Sequence, residues 1–287
     1  MALDPTYTLR ARPLSIPAFR TEKSARLPRR PQETVLISLA AMATAASPRS
    51  LASPALADRK FYTGMAIVML FTALVGFSRT YFLGLISGHA TTITGRVPNA
   101  TVHLHALLFM SWLVLFIVQT SLVATRRVKL HRKLGYFGVA LAAAMILVGG
   151  RTAVEAARLG AVPPGAKPWN FIAIPFGDIT TFAIFFLAAV LWRNDKDKHK
   201  RLMILASTSL MAAALVRWPG VLALGALVSY GLTLVFPIAG AVYDRYSRGR
   251  VHPVYWWGLA LIVLGVAARV ALLGSPSWAH ATQSLFG

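Results

Sequence analysis

The sequence predicts an all-α integral membrane protein, a bundle of seven transmembrane helices with its amino terminus in the cytoplasm and its carboxyl terminus outside. Three observations carry this. The chain of 287 residues is 56% apolar and only 14% charged, with a mean hydropathy of +0.59, whereas ordinary soluble domains carry about 25% charged residues. Seven stretches are long and apolar enough to cross a bilayer, which takes about 20 such residues. The 30 Lys and Arg against 9 Asp and Glu fall in short runs between those stretches, whereas a nucleic-acid binder gathers its charge on one polar face. The expected partner is the lipid bilayer, with other membrane subunits possible and nucleic acid excluded.

Residues 1–60 differ from the rest. They are rich in Pro, Ser, Ala and Arg and carry ten basic and four acidic residues. Arg29-Arg30, the apolar run Val35–Ala46 and Ala55-Leu56-Ala57 together have the outline of a secretory signal. Cleavage there would invert every later loop, so the expectation is a disordered basic tail. The spans follow at about 61–83, 101–124, 134–152, 170–192, 202–218, 220–242 and 254–274, with a short outer tail at 275–287. Trp218-Pro219-Gly220 supplies the tight turn between the fifth and sixth; six and eight spans are the competing counts.

Orientation comes from the loops. Those at 125–133, 193–201 and 244–253 hold thirteen basic residues, and those at 85–100, 153–169 and 275–287 hold three. The richer set belongs on the cytoplasmic side, and a bacterial inner membrane is the expected location. His131-Arg132-Lys133-Leu134 and His199-Lys200-Arg201-Leu202 open the third and fifth helices alike. This is either the trace of a duplication or the ordinary basic start of a cytoplasmic helix.

Charged groups inside apolar helices are costly and usually mark pathways or bound ligands. Arg79, Arg151 and Arg217 lie at the outer ends of the first, third and fifth helices. Arg269 is roughly 7 Å and Asp178 roughly 12 Å inside the seventh and fourth by helix rise. Together they outline a positive pocket opening outward, in which Arg269 is the expected partner of Asp178. His103 and His105 share the outer half but point about 200° apart on a regular helix, so one metal cannot take both. His105, Trp112 and Gln119 recur every seven residues and mark the inward face, so His105 is the inward candidate. The candidate cofactor-binding set is therefore His103, His105, Arg79, Arg151, Asp178, Arg217 and Arg269, with no metal ligands. His131, His199 and His252 read as solvated histidines at cytoplasmic helix starts.

Several chemistries are absent. There is no cysteine, so disulfides, thiolate metal sites and Cys nucleophiles are excluded. The seventh helix has no Lys for a retinal Schiff base. The chain has no histidine box, HExxH or phosphate-binding glycine loop.

The stretches His103-Leu104-His105, His131-Arg132-Lys133-Leu134-Gly135 and Gly249-Arg250-Val251-His252-Pro253 resemble a family of bacterial inner-membrane proteins over about residues 60–274. That family has no assigned activity, so the resemblance implies topology and no reaction. More distantly the chain is similar to the cytochrome b561 type of membrane haem protein, in which histidines on facing helices hold haem. It departs from that pattern, because its outer side offers histidines from one helix only.

Three functional readings stay open, and no catalytic residue stands out. One is a redox subunit holding haem b or quinone beside the outer histidines, with arginines for anionic propionates. Another is a binder or transporter of a small anionic solute with Asp178 as a proton-linked carboxylate. The third is a non-catalytic subunit or assembly factor of a membrane complex.

Overall fold

A computed structural model describes residues 54–287. The Val35–Ala46 run and most of the expected tail lie outside the described residues. Among the described residues the regular elements are all helical. α1 (Pro54–Phe77) continues through a π-helical turn (Ser78–Phe82) into α2 (Leu83–Ser87). Then come α3 (Ala100–Ala124), α4 (Val128–Arg158), α5 (Pro168–Phe171), α6 (Ala173–Leu191), α7 (Lys196–Thr208) and α8 (Ala212–Leu215). The chain finishes with α9 (Val221–Leu224), α10 (Ala226–Thr233), α11 (Val235–Arg248), α12 (Pro253–Leu273) and α13 (Pro276–Phe286).

Six helices are long and apolar enough to cross a membrane: Leu56–Ser87, Ala100–Ala124, Val128–Arg158, Pro168–Leu191, Leu227–Arg248 and Pro253–Leu273. Their outward faces carry large apolar side chains such as Leu147 (73% exposed) and Trp257 (78% exposed), which in water would form one adhesive surface. The described chain is a multi-pass membrane protein by this composition and packing.

Local chemistry sets the boundaries. Asn99 caps α3 by accepting from Val102 N at 3.0 Å, and Asp195 caps α7 through the amides of Asp197 and Lys198. Gly249 ends α11 at φ 72°, a conformation glycine adopts without strain. α1 begins seven residues earlier than the expected tail boundary, because Asp58 is tied into the fold by Lys200, Tyr243 and Arg248. The expected outer tail contains α13, started by a Ser275 cap on Trp278 N and by Pro276 in its first turn.

The fifth expected span, 202–218, is not one helix. α7 stops at Thr208, and a turn precedes the single turn of α8. Ser207, Thr208 and Ser209 explain the break. Thr208 and Ser209 donate their hydroxyls back to Ile204 O and Ala206 O, while Leu210 N and Met211 N move to three-residue spacing on Ser207 O and Thr208 O. Hydroxyls bonded to the preceding turn compete with and bend a helix. The sixth stretch is likewise broken, at Gly225 (φ 90°).

This broken segment is the centre of the bundle. Ile204, Leu205, Ala206, Ser207 and Thr208 are fully buried between α1, α6, α11 and α12. Trp112 of α3 packs edge-on to Phe182 and Phe186 at 5.0 and 5.4 Å and donates its indole N–H to Ser207 at 3.3 Å. α8 lies directly on α1, where a Cβ at Gly76 would overlap the backbone of Ala214. Backbone cannot retract as a side chain can, so Gly76→Ala is expected to cost about 1–2 kcal/mol by overpacking. A lower thermal midpoint of the purified protein would show it, and an unchanged midpoint would contradict the contact.

Candidate functional site: an apolar cavity with two cationic edges

The turns at 125–127, 192–195 and 249–252 bring the charge-rich loops to one end of the bundle. A cavity of about 360 Å³ opens at the other end, among α1, α3, α4, α6, α8 and the 91–97 loop. Its wall is mostly apolar, with Phe77, Phe109 and Leu113 prominent. Three of the residues singled out in the sequence line it: His105, Asp178 and Arg217.

His105 stacks on Phe109 one turn later, ring centroids 4.1 Å apart. Its Nδ1 is buried and has no hydrogen-bond partner. Arg217 follows α8, lays its guanidinium 4.5 Å from the Phe77 ring centre and donates to Ala213 O. No carboxylate among the described residues lies within salt-bridge distance of Arg217. An arginine in an apolar wall without an anion is costly unless something supplies one.

Asp178 is engaged elsewhere. Its Oδ1 accepts from Tyr230 OH at 3.0 Å and lies 3.6 Å from Arg269 Nη2, the pairing their shared depth suggests. Arg269 is 4% exposed; its Nη2 donates to Thr181 Oγ1 at 2.7 Å, and its Nε has no partner. The guanidinium crosses the Tyr230 ring at 5.4 Å and runs over Gly177, where any Cβ would collide with Nε.

The other candidates stand apart. His103 is exposed and shares a 2.7 Å hydrogen bond with Tyr81 OH through Nδ1. Arg79 and Arg151 are exposed on the outside of their helices, as snorkelling arginines are. Of the four arginines singled out, only Arg217 lines the cavity; Arg96 of the 91–97 loop is a second cation in its wall, and Arg269 lies behind Asp178. At the mouth, Glu155 accepts from Asn99 Nδ2 at 2.5 Å.

Haem b is one cofactor the sequence suggests for this region. His105 is the one imidazole lining the cavity and His103 turns to Tyr81, so these residues do not fit a bis-histidine haem. No group of three or more His, Asp or Glu able to hold a metal ion occurs among the described residues.

Tyr230, Thr181 and Gly177 were missed from sequence. Depth could have found Tyr230: it lies ten residues past Gly220 and Asp178 eight past Asn170, in helices running the same way. Gly177 offered no signal, since glycines are common in membrane helices.

The opposite end holds a network of ions. Arg201 and Asp244, both wholly buried, form a two-pronged pair through Nε–Oδ2 (2.8 Å) and Nη2–Oδ1 (2.6 Å). Arg248 Nη1 joins at 2.9 Å from Asp244, and Asp58 bridges Lys200 and Arg248 at 2.7 and 2.5 Å. The Lys200 ammonium holds the Asp197 carboxyl well below the usual carboxylate range. The two echoing helix starts also converge, with the His131 and His199 rings 6.4 Å apart and edge to face. Comparisons with known families, curated proteins and solved structures return no match to this chain.

Proposed function

We propose that the chain is a protein of a bacterial inner membrane whose cavity binds a small amphipathic molecule with an anionic head. One observation carries the reading: His105 Nδ1 and Arg217 sit in the wall of the same apolar cavity, the first without a partner and the second without an anion. A carboxylate, sulfonate or phosphate head would accept from both, and charge-assisted bonds of this kind contribute about 1.5–3 kcal/mol each. The apolar remainder of the wall suits a short hydrocarbon tail.

In this reading the chain crosses the bilayer seven times, α7 and α8 together forming the fifth, broken crossing. Support comes from the two ends. Arg59 reaches Ala124 O at the charge-rich end, while α13 lies at the other, with Arg158 Nε donating to Phe286 O at 2.5 Å. An odd number of crossings fits this separation, and the basic loops assign the first end to the cytoplasm. The cavity then opens in the outer half of the membrane.

A flat quinone head is the second reading, favoured by the stack of His105 on Phe109. Decanesulfonate and a short-chain quinone, titrated into the protein in lipid nanodiscs with empty nanodiscs as reference, separate the two. Saturable decanesulfonate binding that weakens about tenfold or more in Arg217→Gln, about 1.4 kcal/mol, is the expected result. Quinone binding lost in His105→Phe but kept in Arg217→Gln would favour the second reading. Saturable binding of neither probe overturns both.

A further inference from the structure

Asp178 does not close the cavity against solid protein. Beyond it lies a second, open cavity of about 340 Å³ on the outer face of the bundle, lined by Ile174, Leu224, Leu227, Val266, Val270 and Leu273, of which Leu224 and Leu227 are 66% and 62% exposed, with Tyr230 and Arg269 in its wall. Asp178 faces the first cavity, and Tyr230 and Arg269 face the second. The Asp178–Arg269–Tyr230 cluster is the partition between them.

That partition is loosely held at one point. Arg269 is 2.7 Å from Thr181 but 3.6 Å from Asp178, and its buried Nε is unpartnered. Asp178 spends a single oxygen, Oδ1, on both Tyr230 and Arg269. An arginine with spare donors beside an apolar cavity can take a second oxyanion, since five N–H groups serve more than one acceptor. An incoming anion and an ionised Asp178 would then face each other across one guanidinium. In a low-dielectric wall that repulsion is large, and a proton on Asp178 removes it.

We propose that Asp178 and Arg269 form a proton-operated gate: the anionic head takes Arg269 from Asp178, Asp178 takes up one proton, and the two cavities become stations of one path. This rests on the reading that the first cavity accepts an anionic head. One negative charge and one proton arrive together, so the cluster's net charge is unchanged. The step is a protonation only, with the proton coming from solvent and the new O–H bond on the Asp178 carboxylate. Other groups could compete for that proton. Facing Asp178 are Tyr230 from α10 and Arg269 from α12, and across the cavity Tyr81 from the π-helical turn, Arg96 from the 91–97 loop, His105 from α3, Arg217 after α8 and Glu155 from α4.

Decanesulfonate stays anionic throughout, so any proton taken up on its binding belongs to the protein. In nanodiscs with a pH dye and little buffer, on the alkaline side where Asp178 is ionised before binding, about one proton per bound anion is expected. Affinity is expected to fall about tenfold per pH unit on the alkaline side, as one-proton coupling requires. Asp178→Asn should bind with no proton uptake and no pH dependence. Tyr230→Phe, which removes one hydroxyl from the carboxylate and keeps the ring, should carry the tight-binding range to higher pH. Saturable binding without proton uptake in the wild type overturns the gate and leaves the anion site standing. Uptake that survives Asp178→Asn and disappears in His105→Gln or Glu155→Gln also overturns it. No saturable binding at all removes the anion site, and the gate with it.

Discussion

Asp244→Asn is expected to lose about 3–5 kcal/mol of stability, the usual cost of stranding one member of a buried ion pair. Asparagine keeps the shape of the side chain, so no cavity forms and the loss measures charge and hydrogen bonding alone. Asp244 accepts from Arg201 Nε and Nη2, Arg248 Nη1 and the His252 amide. An amide has one acceptor oxygen for these four donors, and its NH₂ would confront a donor. Arg201, wholly buried beside the ring of Tyr255, would keep Asp197 as its one carboxylate. Thermal unfolding in detergent tests this, with Arg245→Gln, an exposed neighbour, as the control that should change little. Replacing the pair together, as Arg201→Met with Asp244→Leu, should recover much of the loss, because two apolar groups need no partners. A wild-type midpoint for Asp244→Asn would mean the pair holds nothing.

That pair also marks where the sequence stops being informative. Arg201 counts as one of five basic residues in a loop and Asp244 as a lone acid in another, because loop counting treats every charge as solvated. Their union depends on the start of α7 meeting the end of α11, 43 positions away, which no local pattern encodes. Local patterns succeeded where the cause was local. Asn99 and the Arg126 turn bound α3 within a residue of the apolar stretch, and the seven-residue repeat of His105, Trp112 and Gln119 does face inward. Trp112 is 2% exposed, and Gln119 turns toward His131 and the Gly135 amide. Hydropathy averaging failed at 202–218, since Ser207, Thr208 and Ser209 cost little on an apolar scale yet break the helix through hydrogen bonds. The lack of charge after Leu273 similarly hid α13, although Ser275-Pro276 is a helix-start signature.

Asp178 and Arg269 are expected to show the strongest coupling in the cavity wall. Asp178→Asn alone should cost about 3 kcal/mol, at the lower edge for a broken buried pair. The loss stays at that edge because the guanidinium keeps Thr181 Oγ1 and the Tyr230 ring, and because the 3.6 Å separation is looser than a two-pronged contact. Arg269→Gln alone removes the cation and should cost a similar amount, leaving the carboxylate with Tyr230 as its donor. With both changed, two amides of nearly the original size remain and no charge is stranded. The double variant should therefore recover about 1–3 kcal/mol relative to the sum of the singles, the range found for directly interacting neighbours. The cycle is read from unfolding midpoints of the four proteins in detergent, and additive losses would end the pairing. Decanesulfonate gives the same cycle a second reading. If an anion can replace the Asp178 carboxylate beside Arg269, it should raise the midpoint of Asp178→Asn more than that of the wild type. It should do nothing comparable for Arg269→Gln, because ligand stabilisation scales with occupancy of the folded state and that variant has lost the guanidinium the anion would bind.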